Sequence, residues 1–425
     1  MSPAVIAAII AAGVSFLTLI GTLAAQFYSI HKTSSDTERT LKQQRDQLDR
    51  SLREQRDRLD RTLAEQRDQL DRTLADQRTR TLNERFATAA GQLGDDKPPA
   101  VRLAGVYAMA GLADDWEANR QTCVDVLCAY LRMPYKADPG GQADQEEEFK
   151  WRASREVRHT VIRVITAHLR DDAVVSWQGL NFDFTGVVFD GGDFSGANFP
   201  GGRVSFADAK FIDDMVFFGG AKFSGADVSF RSAKFSGGEV AFRYATFSEG
   251  LVGFDNAEFS GAFVNFAGSE FSGGGVCFGG AKFSAGEVRF ALAKFSGSEV
   301  DFFQDEFSGA TINFQAATFS DGRVMFVGSN FSGGNVHFGG EEHLEGAVFS
   351  GGEVSFGYAN ICGGRLEFDR ARFAGAEVGF HGAKFSGGEV DFAHALDWSH
   401  PPGFDWDGAP PPGVKLPASG GEAPW

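Results

Sequence analysis

The chain has 425 residues, a formal net charge of −17, 54 glycines and 43 phenylalanines. Its length allows more than one folding unit and a large core. An acidic surface repels phosphate, so the composition argues against DNA or RNA as a ligand and leaves a basic protein partner open. The cysteines, Cys123, Cys128, Cys277 and Cys362, have no CxxC spacing. They are predicted to be small buried side chains in a reducing compartment.

The first predicted element is an uncharged helix. Residues 3–25, PAVIAAIIAAGVSFLTLIGTLAA, carry no charge, and the apolar character continues to Ile30. About 23 residues at ~1.5 Å each span ~34 Å, which is enough to cross the core of a bilayer. A cleaved signal peptide is the alternative, but it would need basic residues before the apolar run. Residues 1–31 are therefore predicted to be a transmembrane anchor that contacts the membrane through residues 3–30.

Positive charge follows this helix instead of preceding it. The basic residues are Lys32, Arg39, Lys42, Arg45 and Arg50. The positive-inside rule then places the N-terminus outside and the rest of the chain in the cytoplasm. The expectation is a single-pass protein of the cell membrane whose C-terminal bulk is cytoplasmic, and reduced cysteines agree with that side.

Residues 32–90 are predicted to form one long charged helix, because neither proline nor glycine occurs between Lys32 and Gly91. Eleven-residue repeats read RDQLDRSLREQ (45–55), RDRLDRTLAEQ (56–66) and RDQLDRTLADQ (67–77). Eleven residues in three turns predict a nearly straight or slightly right-handed supercoil. Aspartate and arginine four residues apart are expected to form intrahelical ion pairs. These pairs are Asp46–Arg50, Asp49–Arg53, Asp57–Arg61 and Asp68–Arg72.

The repeats place one leucine and glutamine stripe on this helix. Its members are Leu48, Leu52, Gln55, Leu59, Leu63, Gln66, Leu70, Leu74 and Gln77. One interpretation is a homo-oligomer through a parallel coiled coil in which the glutamine layers fix the register. The alternative is a single solvated helix, because two leucines per eleven residues make a thin seam. Either form makes a rod of roughly 80 Å from some fifty residues.

Residues 91–175 are predicted to be a small all-α segment of three helices. The first is expected to bury an apolar face made of Val101, Ala104, Val106, Tyr107, Ala110 and Leu112. The second is expected to bury Val124, Leu127, Tyr130 and Leu131, and the third Val157, Val161, Ile162, Ile165 and Leu169. His159 and His168 have no acidic neighbour at metal-ligand spacing and are expected to be surface histidines.

Phenylalanine recurs with a twelve-residue period after residue 199. One series runs from Phe199 through Phe211 and Phe223 to Phe331, and a second from Phe206 to Phe338. Six residues around EEHLEG are then inserted, after which both series resume and reach Phe385 and Phe392. The sixteen units follow the pattern A-x-F-S-G-G-x-V-x-F-x-x, which reads as two very short strands with turns between them. A fixed short period with identical inward residues predicts a solenoid with stacked phenylalanine ladders.

The run FTGVVFDGGDFSGANF (184–199) resembles the pentapeptide-repeat family, and AKFSGGEVAFRYATFSEG resembles its phenylalanine-rich variants. A helical segment before such repeats is similar to an arrangement common in actinobacterial proteins. The resemblance implies a right-handed quadrilateral β-helix over residues 176–398. Because the phenylalanines alternate 5 and 7 apart instead of 5 and 5, the length of a coil stays open. Two units per coil of about 24 residues would give about nine coils and a rod of ~43 Å.

Two charged stripes are expected on the solenoid surface. Lys210, Lys222, Lys234, Lys282, Lys294 and Lys384 share one repeat position and predict a basic stripe. Glu239, Glu287, Glu299, Glu353, Glu377 and Glu389 share another and predict an acidic stripe.

Residues 399–425 are a Pro/Gly-rich tail. The open end of the solenoid is expected to be covered by Phe404 and Trp406 of this tail and by the preceding Trp398. The remainder of the tail is predicted to be disordered.

No catalytic, cofactor-binding or metal-binding residue is predicted. GxSxG, P-loop and HExxH patterns are missing, and the triple glycine at 273–275 belongs to a repeat corner. His343 lies in the six-residue insertion beside Glu341, Glu342 and Glu345, where a solvated loop is the default. Because this insertion interrupts a regular wall, it is the best candidate for a partner contact.

The leading hypothesis is a non-enzymatic, membrane-anchored scaffold whose rigid β-helix presents a surface to an unknown protein partner. Neither a nucleic acid nor a small-molecule substrate is expected. The alternative comes from the resemblance, since some members of the family mimic B-DNA, bind type II topoisomerases and confer quinolone tolerance. Residues 177–400 contain 28 acidic and 14 basic residues, so they carry most of the negative charge. Two stripes of opposite sign would nevertheless imitate a uniformly charged duplex poorly.

Overall fold

The computed structural model describes residues 2–137, 140–141, 143–340, 345–406 and 408–418. Contacts divide the chain into two compact units, residues 1–81 and residues 82–425. His343 and its two acidic neighbours at 341 and 342 lie outside the described residues.

The first unit is part of one long helix, α1, which spans Pro3–Gln92. No side chain between residues 3 and 81 is buried, and the first buried residue of the helix is Leu82. The predicted intrahelical ion pairs do not form, since Asp36–Arg39, at 4.0 Å, is the one ion pair within residues 3–81. Exposed pairs of this kind gain little against solvation and side-chain entropy, so the arginines extend into solvent.

The second unit begins with a helical segment. Its elements are α2 (Pro99–Asp115), a 3-10 turn (Glu117–Asn119), α3 (Arg120–Arg132) and α4 (Gln145–Leu169). Asp144 caps α4 by accepting a hydrogen bond from the Glu147 backbone N–H at 2.8 Å, which satisfies one of the free donors of the first turn. The end of α1 belongs to the same unit and packs against α2 at Gly105, where a Cβ would lie 2.9 Å from the Gln92 Cβ.

The predicted inward faces of α3 and α4 are confirmed, since all nine residues are buried. The prediction for α2 was partly wrong. Val101, Ala104 and Tyr107 are exposed, with 60 % of Tyr107 accessible. Arg102 is buried instead and donates to the Tyr130 hydroxyl at 3.2 Å. Because a buried arginine with a polar partner occupies the inner face, the helix is rotated away from the arrangement that hydrophobic periodicity alone predicts.

Thirty short strands follow in the part of the chain that the structure describes, and they are all parallel where they pair. The first fifteen are β1 (Phe182–Asp183), β2 (Val188–Phe189), β3 (Gly192–Asp193), β4 (Asn198–Phe199), β5 (Arg203–Ser205), β6 (Lys210–Phe211), β7 (Met215–Phe217), β8 (Lys222–Ser229), β9 (Lys234–Phe235), β10 (Glu239–Ala241), β11 (Thr246–Gly253), β12 (Glu258–Asn265), β13 (Glu270–Phe271), β14 (Gly275–Cys277) and β15 (Lys282–Arg289). The others are β16 (Lys294–Asp301), β17 (Glu306–Phe307), β18 (Thr311–Asn313), β19 (Thr318–Met325), β20 (Asn330–Phe331), β21 (Asn335–His337), β22 (Val348–Phe349), β23 (Glu353–Ser355), β24 (Asn360–Ile361), β25 (Arg365–Glu367), β26 (Arg372–Phe373), β27 (Glu377–Gly379), β28 (Lys384–Phe385), β29 (Glu389–Asp391) and β30 (Val414–Lys415).

These strands form a parallel β-solenoid of about 10 turns with two sheets. A regular turn contains 24 residues, because Phe259 pairs with Phe283 and Phe283 with Phe307. The first turn is shorter, and Val188 pairs with Lys210. The turn that contains the insertion is six residues longer, yet register resumes where Thr318 pairs with Val348. Two twelve-residue units therefore make one turn, as the sequence suggested.

Four phenylalanine ladders fill the interior. In one of them the ring centroids of Phe218, Phe242 and Phe266 are 4.7 Å apart, with interplanar angles of 6–7°. Rings of different ladders meet edge to face, as for Phe242 and Phe254 at 6.3 Å and 82°. Both arrangements are favourable for aromatic quadrupoles. Phe283, in the middle of the solenoid, is fully buried. The predicted interior of stacked phenylalanine ladders is confirmed.

The corner that follows the second phenylalanine of a repeat unit is a tight turn. The Ala245 N–H donates to the Phe242 carbonyl at 3.0 Å, and Tyr244 between them has φ of 58°. A positive φ at this place is typical of a type II turn and favours glycine. The chain often places another residue there. Nine such residues among those described have φ between 54° and 60°: Asp208, Ser232, Tyr244, Asn256, Leu292, Gln304, Ala316, Tyr358 and Arg370.

The recurring Ser-Gly-Gly segment is explained by contacts between successive turns. The Ser284 hydroxyl donates to the Phe259 carbonyl of the preceding turn at 3.3 Å, and Ser236 makes the same bond to Phe211. A Cβ on Gly273 would approach the Ser248 carbonyl oxygen to 2.2 Å. Glycine is therefore required at position 273, where the backbones of two turns come close, although Glu249, Ala285 and Asp321 occupy the same place in other units.

The helical segment covers the first edge of the solenoid. Six side chains donate hydrogen bonds of 2.7–3.2 Å to backbone carbonyls of the first turn. The pairs are Gln121–Asn181, Arg132–Asp183, Arg155–Asp190, Arg158–Val188, Thr166–Asp193 and Arg170–Ser195. An open edge of a sheet can pair with another chain, and these donors occupy that edge.

The other end is covered as predicted by three aromatic side chains. Phe404 stacks on Phe380 at 5.2 Å, and Trp398 and Trp406 meet Phe373 and Phe385 edge to face. The expectation of disorder in the rest of the tail was wrong for residues 408–418. There β30 pairs with β29, because a further strand satisfies the last edge of the sheet. Residues 419–425 lie outside the described residues.

Candidate interaction surfaces

The outward side chains of the solenoid form columns along the two sheets, and these columns correct the predicted basic stripe. Because one repeat unit is half a turn, equivalent positions in successive units lie on different sheets. Strand membership divides the six lysines accordingly. Lys210, Lys234, Lys282 and Lys384 belong to the 17-stranded sheet, and Lys222 and Lys294 to the 13-stranded sheet.

Both signs occur within a column, although like charges are neighbours where Lys210 pairs with Lys234 and Glu353 with Glu377. Lys234 pairs in register with Glu258, and their side chains form an ion pair of 3.0 Å. The next positions of that column are Lys282 and Glu306. The predicted acidic stripe is divided in the same way. On the 13-stranded sheet Arg323 lies between Glu299 and Glu353, at 3.9 and 3.4 Å. The surface is therefore a mixture of both signs and not two stripes.

The densest charge network lies at the C-terminal end of the 17-stranded sheet. Arg365 forms ion pairs with Glu367 at 2.7 Å and Glu389 at 3.0 Å, and Lys415 contacts Glu389 and Asp391. The hydrogen bond from Lys415 lowers the pKa of the Glu389 carboxyl. Each group is partly solvated, so the network supports the terminal strand modestly.

Two open grooves lie on the first turns of the solenoid, and α4 lines the smaller of them. One has a volume of about 680 Å³ and the other about 340 Å³. The larger is lined by Asn181, Phe182, Asp183, Thr185, Gly202, Arg203, Ser205 and Asp227. The smaller is lined by Arg155, His159, Arg163, Gly191, Gly192, Asp193, Asp214, Met215 and Phe217. The smaller groove has two exposed apolar side chains, Met215 and Phe217, whereas Phe182 of the larger groove is buried.

Asp190 is the buried carboxylate beside the smaller groove. It accepts a hydrogen bond of 2.6 Å from the Tyr135 hydroxyl and lies 3.3 Å from the His159 Nε2 and 3.4 Å from the Arg155 Nε. Burial raises the pKa of Asp190, but the hydrogen bonds from His159 and Tyr135 more than offset it, and the net pKa is lowered. The arrangement joins α4 and the preceding loop to the first turn through a satisfied charge.

The prediction that His159 and His168 are surface histidines was wrong. Each ring is only 19 % exposed and lies 3.3 Å from a carboxylate, Asp190 and Asp114 respectively. His168 also stacks on the buried Trp177, with ring centroids 3.9 Å apart, and the Trp177 Nε1 donates to Asp114 at 2.9 Å. Both histidines therefore belong to the junction between the helices and the solenoid. Their carboxylate partners are distant in sequence, which is why spacing alone did not find them.

Met215 and Phe217 form a small apolar cluster on the outer face of the 17-stranded sheet near the same junction, and Phe263 lies two turns further along this sheet. Met215 and Phe217 are 38 % and 37 % exposed. The Arg289 guanidinium lies over the Phe263 ring, 4.9 Å from its centroid, a favourable cation–π contact. This cluster is too small to name a partner by its chemistry.

Among the described residues no group of three or more histidine, cysteine, aspartate or glutamate side chains could hold a metal ion. Burial raises the pKa of Cys123 and Cys277 to about 11 and that of Cys128 to about 12, which disfavours the nucleophilic thiolate. Cys123 and Cys128 are buried as predicted, while Cys277 and Cys362 are only partly covered.

Comparison with family models, curated proteins and solved structures finds no match for this chain.

Proposed function

We propose that this chain is a non-enzymatic, membrane-anchored scaffold whose solenoid is a right-handed quadrilateral β-helix of the pentapeptide-repeat type. The observation that carries the proposal is the aromatic interior. Four phenylalanine ladders leave no space for a ligand inside the turns, so recognition falls to the outer side chains. Those side chains are held in register every 24 residues, which suits an extended protein partner.

The anchor is supported by exposed apolar side chains in residues 3–30. Ile9, Leu17 and Phe27 are 59 %, 70 % and 78 % exposed, and the helix is long and apolar enough to cross a bilayer, as a signal sequence also can be. The test is carbonate extraction of membranes from cells that express the full chain, combined with mass determination of its N-terminus. Retention in the membrane with residues 1–31 intact is expected. A mature chain that has lost these residues would establish a cleaved signal instead.

Self-association through the leucine stripe is the second part of the proposal. Leu48, Leu52, Leu59, Leu63, Leu70 and Leu74 are 53–60 % exposed although they share one face. In a parallel, in-register coiled coil they would cover one another. Glutamine amides of the two copies would then meet at Gln55 and Gln66 and could hydrogen-bond, since each amide both donates and accepts.

Cysteine cross-linking of the full chain in detergent tests this arrangement. Leu63→Cys is expected to form a disulfide between two copies, because identical residues face each other in a parallel register. Ala64→Cys, one residue away and off the stripe, is the matched control and should stay reduced. A monomeric mass at high concentration, with no cross-link at either position, would disprove the coiled coil without affecting the anchor.

The partner-binding surface can be tested by exchanging charges on one sheet. Lys282→Glu together with Glu306→Lys preserves the composition of the 17-stranded sheet and leaves the interior unchanged. Proximity labelling in cells is expected to lose specific neighbours with this variant, and Lys294→Glu on the other sheet is the control. If both variants keep every neighbour of the unaltered chain, the outer columns do not select a partner.

DNA mimicry is the second candidate, favoured by the acidic excess of residues 177–400. Duplex DNA presents uniform negative charge, whereas the columns here contain both lysine and glutamate. A supercoiling assay with a purified type II topoisomerase and the full chain in detergent separates the two functions. Inhibition at stoichiometric concentration would favour mimicry, and unchanged supercoiling would remove it.

A further inference from the structure

One corner of the solenoid contains a carboxylic acid where its neighbours have alanine or serine. Three residues after the second phenylalanine of a twelve-residue unit, the chain usually places a small buried side chain. Along the corner in question the residues before and after are Ala257, Ala281 and Ser329, all fully buried. Asp305 takes this place in the turn between Ala281 and Ser329 and is 1 % exposed.

The contacts of Asp305 satisfy only part of its side chain. Its Oδ1 accepts a hydrogen bond of 2.8 Å from the Ala281 backbone N–H. Its own N–H donates to the Ser329 hydroxyl at 3.1 Å, and that hydroxyl donates to the Phe302 carbonyl. The Oδ2 atom is buried and has no hydrogen-bond partner. A carboxylate in this place would leave half of its charge without solvation.

No positive charge compensates this site. The corner before it, Gly279 to Ala281, and the corner after it, Val327 to Ser329, contain no charged side chain. The charged groups that act on Asp305 are Asp301 and Asp255, and both are acidic. Burial raises the pKa of Asp301 as well, and the nearby Glu299 adds to this effect. The surroundings therefore favour the neutral acid over the ion.

We propose that Asp305 is buried as the uncharged acid and that its ionisation opens the solenoid wall at this turn, so that the solenoid loosens at alkaline pH. Burial raises the pKa of Asp305 from 3.8 to about 9. An opened turn releases the proton above pH ~4, whereas the closed turn keeps it. Resistance to opening is thus greatest near pH 4, falls as the pH rises, and reaches its minimum above about 9. This inference is independent of the proposed function.

Amide hydrogen exchange of the full chain in detergent measures this opening. Exchange rates in residues 278–331 are followed from pH 5 to 9.5 and corrected for the intrinsic pH dependence of exchange. One linked proton makes the equilibrium constant for opening rise up to tenfold per pH unit. Asp305→Ser places in this turn the residue found at Ser329. The equilibrium constant for opening of the unaltered chain, divided by that of Asp305→Ser, should grow with pH. The variant should therefore exchange more slowly than the unaltered chain at pH 8.

Glu306→Gln is the matched control, because this neighbour lies on the outer surface of the same turn. It should follow the unaltered chain at every pH. If Asp305→Ser shows the same pH trend as the unaltered chain, the linkage to Asp305 is wrong.

Infrared spectroscopy of the unaltered chain gives an answer that needs no variant to fold. With isotope-labelled aspartate, a buried protonated carboxyl gives a carbonyl band that persists at pH 7 and disappears as the pH passes about 9. An aspartate spectrum that shows only ionised carboxylates at pH 7 would overturn the proposal.

Discussion

Residues 45–77 and residues 182–415 are both built from short repeats, but the two regions use them in opposite ways. The eleven-residue repeat of the helix satisfies its backbone hydrogen bonds locally and leaves every side chain exposed. The 24-residue turn of the solenoid satisfies its backbone only through the next turn, and each turn buries phenylalanine on both sides. A helical repeat can therefore exist alone, whereas a solenoid turn depends on its neighbours.

The largest expected effect comes from truncating an inner ring. Phe283→Ala removes a buried ring whose centroid lies 4.6 Å from that of Phe259 and 4.8 Å from that of Phe307. The free energy of unfolding should fall by about 3–5 kcal/mol. Denaturant titration of the full chain in detergent, followed by the fluorescence of the end-covering tryptophans, measures it. Leu59→Ala in the exposed stripe is the comparison and should leave this transition unchanged.

A glycine between turns should be the next most sensitive position. Gly273→Ala places a Cβ 2.2 Å from the Ser248 carbonyl oxygen, so successive backbones must separate. We expect a loss of about 1–3 kcal/mol in the same titration. Gly237→Ala is the matched control, because its nearest neighbour is an ordinary 3.6 Å away. Equal losses at both sites would show that flexibility, not contact between turns, explains the glycines.

Glycine should have opposite effects in the two regions. Leu292 is 58 % exposed and has φ of 60°. Relief of this left-handed conformation outweighs the added entropy of the unfolded chain, so Leu292→Gly should stabilise the solenoid by roughly 0.5 kcal/mol. Ala64→Gly in the helix should destabilise it by about 1 kcal/mol. Circular dichroism at increasing temperature resolves both, and destabilisation by Leu292→Gly would show that the leucine side chain contributes packing.

The smallest expected effect comes from an outer ion pair. Lys234 and Glu258 are 3.0 Å apart, but their side chains are 51 % and 43 % exposed. Lys234→Ala should cost less than about 0.5 kcal/mol and less still in high salt. A double-mutant cycle with Glu258→Ala in the denaturant titration isolates the pair, and a coupling above about 1 kcal/mol would contradict its solvated character.

Much of the solenoid could be predicted because its signal is repeated. The period predicted the aromatic ladders and the neutral effect of the insertion on register, and Trp398 and Phe404 were expected at the end. Asp305 could also have been found by aligning the repeats, since it replaces the small residue of its unit. The predicted stripes failed because successive units lie on different sheets and because other units place glutamate, such as Glu258 and Glu306, at the position of the lysines. The sequence shows the length of the repeat, but it does not show on which sheet of the solenoid each unit lies.

The helical segment was less predictable, since its decisive contacts are unique and distant in sequence. The sequence around Arg158 does not predict that its guanidinium binds the Val188 carbonyl. The sequence around His168 likewise does not predict that its ring stacks on Trp177. The inward face of α2 was misjudged because Arg102 is buried, which periodicity treats as polar and outward. Long-range polar contacts of this kind carry no local pattern.

The longer turn has a consequence for how such a protein can diversify. Thr318 and Val348 pair across 30 residues as other positions pair across 24, so extra chain at a corner leaves the ladders on either side undisturbed. Corners of this solenoid should accept grafted peptides of varied length, while the strands between them tolerate almost no change in spacing. A lineage could then acquire new binding specificities by lengthening corners alone, and an engineer could use the same sites to display an epitope.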